Sequence, residues 1–254
     1  MELKENERID ELGINNLKII QNKKYFCFGT DSVLLANFVK SDSSKNVIVD
    51  LCSGSGVIPV ILSAKKKYSK IYSVELQSEM FKLLERNIQI NNLSEKIVPL
   101  NCDIKDIKKI KDMVLSQTKS EKIDIIVCNP PYKTLGTGFK TLHDVKTIAK
   151  CEVMCNLEDV FNTSSKLLSK KGKMYLVHKP ERLADLISLG RKYKLELKEI
   201  RFVYPTINKK ASIILACFVK DGGNEVSILP PLIEYNEDNS YTDAMNSIYL
   251  NNYK

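Results

Sequence analysis

Residues 47–56 read VIVDLCSGSG, and this stretch decides the fold. Val47–Leu51 has the length and the β-branched content of a buried strand. Gly54 and Gly56 follow directly and predict a tight turn, because glycine adopts backbone conformations that other residues avoid. Val57–Lys66 then predicts a helix. A strand, a glycine turn and a helix in this order are typical of the first half of a βαβ unit.

The same alternation continues along the chain. The predicted strands are Val47–Leu51, Lys70–Glu75, Ile97–Cys102, Lys122–Cys128, Lys173–His178, Leu195–Tyr204 and Ser212–Val219. The predicted helices between them are Val57–Lys66, Gln77–Asn91, Ile104–Ser116, Leu157–Ser169 and Pro180–Tyr193. Repeated strand–helix pairs predict right-handed βαβ units, and the hairpin-length loop between the last two strands makes that pair antiparallel. The sequence therefore predicts an α/β fold with a doubly wound, seven-stranded, mostly parallel sheet and one antiparallel strand.

We expect one domain over residues 1–254, with a short appendage at each end. Residues 1–46 form the N-terminal appendage, in which a hairpin is predicted at Leu17–Phe26 and a helix at Asp31–Val39. Residues 221–254 form an acidic tail, which is predicted to pack on the body as a strand and a turn.

Composition narrows the class of protein. Of the 254 residues 43% are hydrophobic and 28% charged, which is ordinary for a globular chain that buries a core. No apolar run is long enough to span a membrane, and the charged start MELKENERIDEL does not resemble a secretion signal. The seven cysteines are scattered and contain no C-x-x-C pair. We therefore expect no metal, no membrane contact and a reducing cytoplasmic compartment.

The net charge of +8 is unevenly distributed. Residues 1–12 carry −3 and residues 221–254 carry −5, so residues 13–220 carry +16. A basic middle between acidic ends favours a polyanionic partner, nucleic acid first. The alternative is a generally lysine-rich composition, since only five of the 39 basic residues are arginine.

Polar residues follow four consecutive predicted strands, at the edge where ligands bind in such sheets. The four strand ends are Asp50–Gly56, Glu75, Asn101–Asp103 and Asn129–Tyr132. Glu75 lies 19 residues after Gly56, the spacing at which an acidic residue binds ribose hydroxyls in nucleotide folds. Pro59 stands where a dinucleotide motif needs Gly or Ala, and no G-K-[ST] follows a glycine loop, which disfavours NAD and P-loop sites. Each of these four strand ends, taken alone, also has a purely structural explanation, because glycine turns, strand-end acids and Pro-Pro turns are common.

These residues resemble the class I S-adenosylmethionine-dependent methyltransferases over roughly residues 25–220. Asp50–Gly56 is similar to their cofactor loop, and Asn129–Tyr132 is similar to the Asn-Pro-Pro-Tyr motif of the amino-methyltransferases. The phrase FGTDSVLLA at 28–36, the chain size and Leu-Pro-Pro-Leu at 229–232 resemble the bacterial tRNA(Val) adenine-N6 methyltransferase family. The resemblance implies S-adenosylmethionine as cofactor and tRNA as partner, with methylation of the adenosine 3′ of the anticodon. We expect a cytoplasmic monomer.

The resemblance also implies a cofactor site at the strand ends. Gly54 and Gly56 would line the methionine part, Asp50 would hold its ammonium group, and Glu75 would accept hydrogen bonds from both ribose hydroxyls. Asp103 would accept a hydrogen bond from the adenine amino group. The expected cofactor-binding residues are Thr30, Asp31, Asp50, Cys52, Gly54, Gly56, Glu75, Leu76, Asp103, Ile104 and Asn129.

Two assignments have direct alternatives. Thr30 and Asp31 are expected to close over the methionine tail, but Asp31 could equally be the N-cap of the helix that it begins. His143 and His178 are expected to be surface or packing residues, because the proposed chemistry requires no general base.

The expected catalytic residues are Asn129, Pro130 and Tyr132. The amino group of adenine is a poor nucleophile, since its lone pair is delocalised into the ring. The Asn129 side-chain oxygen and the Pro130 carbonyl can accept both amino hydrogens, which directs the lone pair towards the methyl group. Tyr132 would stack on a base that has been extracted from its neighbours.

The RNA is expected to bind at two loops that open on the same edge as this motif. The loop after the fourth strand carries Lys133, Phe139 and Lys140, and the turn between the antiparallel strands carries Lys209 and Lys210. Lysine contacts to phosphates give affinity with little sequence information, and Phe139 is a candidate for stacking.

Three alternative functions remain. A protein glutamine-N5 methyltransferase also carries Asn-Pro-Pro-Tyr, but it usually has a helical domain in front, and only 49 residues precede Asp50. An rRNA or DNA amino-methyltransferase is another candidate, although a DNA enzyme needs a target-recognition insert that no stretch here supplies. A non-catalytic RNA-binding relative would keep the fold, but the fold alone does not require Asn129–Tyr132.

Overall fold

The computed structural model describes residues 2–25, 27–41, 43–65, 68–119, 122–132 and 155–250. The strands are β1 (Glu7–Glu11), β2 (Lys18–Asn22), β3 (Val47–Leu51), β4 (Lys70–Glu75), β5 (Ile97–Asn101), β6 (Ile125–Cys128), β7 (Lys173–His178), β8 (Leu195–Tyr204), β9 (Ile213–Lys220), β10 (Ser227–Ile228) and β11 (Leu232–Ile233). The helices are α1 (Thr30–Phe38), α2 (Val57–Ala64), α3 (Ser78–Ile90), α4 (Ile107–Thr118), α5 (Leu157–Leu167), α6 (Leu183–Lys192) and α7 (Asp243–Leu250), and a 3-10 turn spans Pro180–Arg182.

The main sheet follows the predicted topology. Its strands lie in the order β10-β8-β9-β7-β6-β3-β4-β5, and β11 also pairs with β8. All seven predicted strands are present as β3 to β9, and β9 is antiparallel to both of its neighbours, β7 and β8. The prediction of a mostly parallel sheet with one antiparallel strand is confirmed. Because β8 runs in the same direction as β7, its carboxyl end lies at the same edge as those of β3 to β7.

Helices cover both faces of this sheet. Every residue of β3 is buried, as expected for a central strand of a parallel sheet. Ile48 packs in a core shared with α1, α2 and α3, whereas Val49 packs in a second core shared with α4, α5 and α6. No helix among the described residues is long and apolar enough to cross a membrane.

The N-terminal hairpin lies earlier in the chain than predicted. It pairs β1 with β2 antiparallel, from Glu7 opposite Asn22 to Glu11 opposite Lys18, so the predicted span Leu17–Phe26 contains only its second strand. β1 reads ERIDE and is largely exposed, so no apolar alternation marked it as a strand. The intervening turn places Asn15 and Asn16 at positive φ, which asparagine adopts more readily than most residues.

The tail and α4 also differ from the predictions. The tail contributes the two short strands β10 and β11, both parallel to β8, and then α7, which the sequence pattern did not predict. Met245 of α7 is fully buried. α4 begins at Ile107 rather than at Ile104, because the Asp106 side chain caps it by accepting a hydrogen bond from the Lys109 N–H at 3.1 Å.

Candidate active site

The candidate site lies at the carboxyl edge of β3, β4, β5 and β6. Leu51 at the end of β3 is opposite Val74 of β4 on one side and Cys128 of β6 on the other. The residues that follow these strands therefore lie side by side, as the sequence predicted. Glu75 at the end of β4 is in turn opposite Asn101 of β5.

The loop after β3 makes a tight left-handed turn. Cys52, Gly54 and Gly56 have φ angles of 60°, 55° and 86°. A Cβ on Gly56 would collide with Cδ1 of Leu84, so any larger residue at the start of α2 requires this buried side chain of α3 to move. The Ser53 N–H donates to the Val74 carbonyl at 3.0 Å, which ties the loop to β4.

Glu75 is buried and holds this loop directly. Its Oε2 accepts a hydrogen bond from the Gly54 N–H at 2.8 Å, and its Oε1 accepts one from the Gln77 N–H at 2.7 Å. Burial raises the pKa of this carboxyl. Each carboxylate oxygen can accept a second hydrogen bond, so Glu75 keeps acceptor capacity for a ligand.

Asp50 is fully buried, and neither of its carboxyl oxygens has a hydrogen-bond partner among the described residues. Burial, with a smaller contribution from the negative charge of Glu75, raises the pKa of Asp50 to about 8. A buried carboxyl without a partner is costly, so it suits a site that receives a cationic or hydrogen-bond-donating ligand.

The third strand end contributes a residue that the sequence analysis did not assign. The Asn101 side-chain amide donates to the carbonyls of Glu75 and Leu76, at 2.8 and 3.1 Å, and so fixes the end of β4. Its position at a strand end was the available signal. Asp103 instead pairs within its own loop: it accepts from the Lys105 N–H at 2.9 Å, and the Lys105 ammonium lies 3.5 Å from its other oxygen. Ile104 is buried.

The motif at the end of β6 is held by the first turn of α1. The Asn129 side-chain amide donates to Ser32 Oγ at 2.9 Å, which fixes Asn129 Oδ1 as the acceptor end of the side chain. The Tyr132 hydroxyl contacts both this oxygen and Asp31 Oδ2, the latter at 2.8 Å. Burial and the Asp31 carboxylate raise the pKa of Tyr132, which keeps the hydroxyl protonated. Ser32 was not predicted as a site residue, although it lies in the phrase FGTDSVLLA at 28–36 that carries the family resemblance.

The Tyr132 ring lies beside the end of β7. The His178 ring meets it edge-on with centroids 5.2 Å apart, and the Lys179 ammonium lies 5.8 Å from the Tyr132 centroid. Burial lowers the pKa of His178 to about 4, so the imidazole is neutral near pH 7. His178 is therefore a packing residue, one of the two options expected for it, and His143 lies outside the described residues.

The comparisons with known proteins find similarity to methyltransferases. The TRM5/TYW2 methyltransferase domain matches residues 17–135. A tRNA1(Val) (adenine(37)-N6)-methyltransferase of Porphyromonas gingivalis is 26% identical over 179 residues, which cover 68% of each chain. A predicted O-methyltransferase from Agrobacterium tumefaciens has a TM-score of 0.65 at 19% identity, over 86% of this chain and 95% of that one. TYW2 of M. jannaschii in complex with AdoMet has a TM-score of 0.53 at 16% identity, over 87% of this chain and 89% of that one.

Together these matches support a class I S-adenosylmethionine-dependent methyltransferase. The residues at the edge suit this cofactor, because its ammonium is a cation and its ribose carries two hydroxyl donors. Asp50 supplies a buried carboxyl with no hydrogen-bond partner in the described part of the chain, and Glu75 supplies acceptors.

The structure decides whether Asp31 is the N-cap of α1. α1 begins at Thr30 with Gly29 as its N-cap, so Asp31 is not the N-cap. Asp31 Oδ1 accepts from the Ser32 N–H at 2.9 Å, while Oδ2 accepts from Tyr132. Asp31 therefore reaches the Asn-Pro-Pro-Tyr motif, and its expected contact with the methionine tail stays a prediction.

The structure describes two of the five residues that are expected to bind RNA. Lys133, Phe139 and Lys140 lie outside the described residues. Lys209 and Lys210 are exposed on the turn between β8 and β9, at the edge that carries Asn129.

Proposed function

We propose that this methyltransferase methylates the N6 amino group of an adenosine in tRNA, the one 3′ of the anticodon in tRNA(Val). The observation that carries the proposal is the Asn129 amide, which Ser32 orients at the end of β6 beside the cofactor loop. The name of the Porphyromonas gingivalis relative supports the substrate, and the basic middle of the chain supports a nucleic-acid partner.

In this proposal the cofactor is held at the ends of β3, β4 and β5. Asp50 faces the ammonium, Gly54 and Gly56 bring the backbone close to the methionine part, and Glu75 accepts from the ribose hydroxyls. When bound, S-adenosylmethionine supplies a methyl group on a sulfonium, which is a strong electrophile. Asp103 and Ile104 contact the cofactor adenine. The remaining cofactor contacts come from Cys52, Leu76, Thr30 and Asp31.

The acceptor amine is oriented by two oxygens of the Asn-Pro-Pro-Tyr motif. Asn129 Oδ1 and the Pro130 carbonyl accept the two amino hydrogens and direct the nitrogen lone pair towards the methyl group. Asn129 Oδ1 has two lone pairs, so it can accept from the Tyr132 hydroxyl and still accept one amino hydrogen of the substrate. The Tyr132 ring supplies a stacking face for the base.

Transfer of labelled methyl from S-adenosylmethionine to bulk tRNA, to release factor and to duplex DNA tests this function. We expect label in tRNA alone, with N6-methyladenosine located 3′ of the anticodon by mass spectrometry of tRNA fragments. Label in a glutamine of release factor, or in DNA, would overturn the proposal.

We also propose that the enzyme acts as a single-domain monomer in the cytoplasm. Light scattering of the purified protein tests the oligomeric state, and cell fractionation tests the location.

Asn129→Ala separates orientation of the amine from cofactor binding. Loss of one preorganised hydrogen-bonding group costs about 10²–10³ in rate, so we expect a loss of that order in methyl transfer to tRNA. The affinity for S-adenosylmethionine, measured by calorimetry, should stay within about two-fold, because Asp50 and Glu75 remain. Asn162→Ala on α5 is the matched control, and normal transfer by Asn129→Ala would refute the role of Asn129.

A further inference from the structure

The turn at residues 205–212 between β8 and β9 has a fixed place at the catalytic edge. The Ser212 N–H donates to the Val203 carbonyl at 2.8 Å and closes the turn at its base. The Tyr235 N–H from the tail donates to the Pro205 carbonyl at 2.9 Å. The turn is therefore anchored both by its own strands and by the segment that follows β11.

Lys179 links this turn to the Asn-Pro-Pro-Tyr motif. Its ammonium donates to the Ser212 carbonyl at 3.3 Å and lies 5.8 Å from the centroid of the Tyr132 ring. The base of the turn is thus separated from the stacking face of Tyr132 by the end of one lysine side chain.

The tip of the turn combines an apolar side chain with cations. Ile207 is 65% exposed, and Lys209 and Lys210 beside it are also exposed. Among the described residues, no carboxylate lies within ion-pair distance of Lys179, Lys209 or Lys210. A single exposed aliphatic residue is ordinary on a protein surface, but Ile207 lies on an anchored turn, beside Lys209 and Lys210, at the edge of the sheet that carries Asn129.

We propose that Ile207 inserts between the nucleotides that flank the target adenosine, and that Lys179, Lys209 and Lys210 hold the adjacent phosphates. This inference rests on the proposed function. A base that leaves its stack exposes its neighbours, and an apolar side chain inserted between them replaces part of the lost stacking. The lysines add affinity that depends on salt and not on sequence.

Two RNA substrates and three variants test the insertion. The substrates are an anticodon stem-loop, in which the adenosine is stacked, and a short unstructured oligonucleotide with the same sequence around it. Ile207→Ala removes the inserted side chain, and Ile207→Leu restores an apolar one. Ile228→Ala is the matched control, because Ile228 is 73% exposed on β10 and pairs with Ile200 in the middle of β8, away from the catalytic edge.

We expect Ile207→Ala to lower kcat/KM about ten-fold on the stem-loop and less than two-fold on the unstructured oligonucleotide. Ile207→Leu and Ile228→Ala should match the parent protein on both. Equal activity of Ile207→Ala and the parent on the stem-loop, or an equal loss on both substrates, would overturn the insertion. Failure of the parent protein to methylate either RNA would instead contradict the proposed function, so the two failures are distinguishable.

Discussion

Gly56→Ala should destabilise the protein through two effects that the structure separates. At a φ of 86° an alanine adopts a left-handed conformation, which costs about 1–2 kcal/mol. Its Cβ would also lie 2.4 Å from Leu84 Cδ1, and overpacking of this kind typically costs about 1–3 kcal/mol. We expect a total loss of about 3 kcal/mol in the free energy of unfolding, which corresponds to a fall of about 6–12 °C in Tm.

Two further glycine variants make the measurement decisive. Gly54→Ala has the left-handed φ of 55° but meets only Met80 Cε at 3.7 Å, an ordinary contact, so we expect a loss of about 1 kcal/mol. Gly223→Ala has open space around the new Cβ, and we expect a change within about 0.5 kcal/mol. Urea unfolding of the three variants should give this order. Equal stability of Gly56→Ala and Gly223→Ala would refute the reasoning.

Three other predictions follow from the charged groups. The pKa of Asp50 is raised from 3.8 to about 8, so between these pH values the folded protein keeps a proton that the unfolded chain releases. The free energy of unfolding therefore falls by about 1.4 kcal/mol per pH unit as the pH rises through this range. Asp50→Asn should remove this pH dependence of the free energy of unfolding, measured by urea unfolding at several pH values in this range. The same pH dependence in the variant and the parent protein would show that the pKa of Asp50 is not raised. Glu75→Ala should weaken S-adenosylmethionine binding about ten-fold or more by calorimetry, and an unchanged Kd would place Glu75 outside the cofactor site. Reversing Lys209 and Lys210 to Glu should weaken tRNA binding and reduce the slope of log K against log salt by roughly 2, whereas equal binding at low salt would move the RNA surface elsewhere.

The positions of the residues proposed to bind the cofactor were largely predictable, because they depend on local order along the chain. A strand, its glycine turn and the next strand's acid are close in sequence, so Gly54 and Glu75 could be placed together before the structure was known. The structure then added the hydrogen bond between them. β1 and α7 were missed, because ERIDE carries little apolar alternation and α7 is only eight residues long, which is too short for its apolar residues to show a helical period.

The sequence by itself determined the order of strands and helices, and with it the edge at which Asp50, Glu75 and Asn129 meet. Periodicity and turn residues act over a few positions, and parallel strands bring their carboxyl ends to one side. Only the tertiary structure decided which side chains orient the motif at β6. Ser32 and Asp31 lie 97 and 101 residues from their partners Asn129 and Tyr132, and α1 reaches them only because it packs beside β7 in the assembled sheet. Contacts of that range depend on the packing of whole elements, which no local pattern encodes.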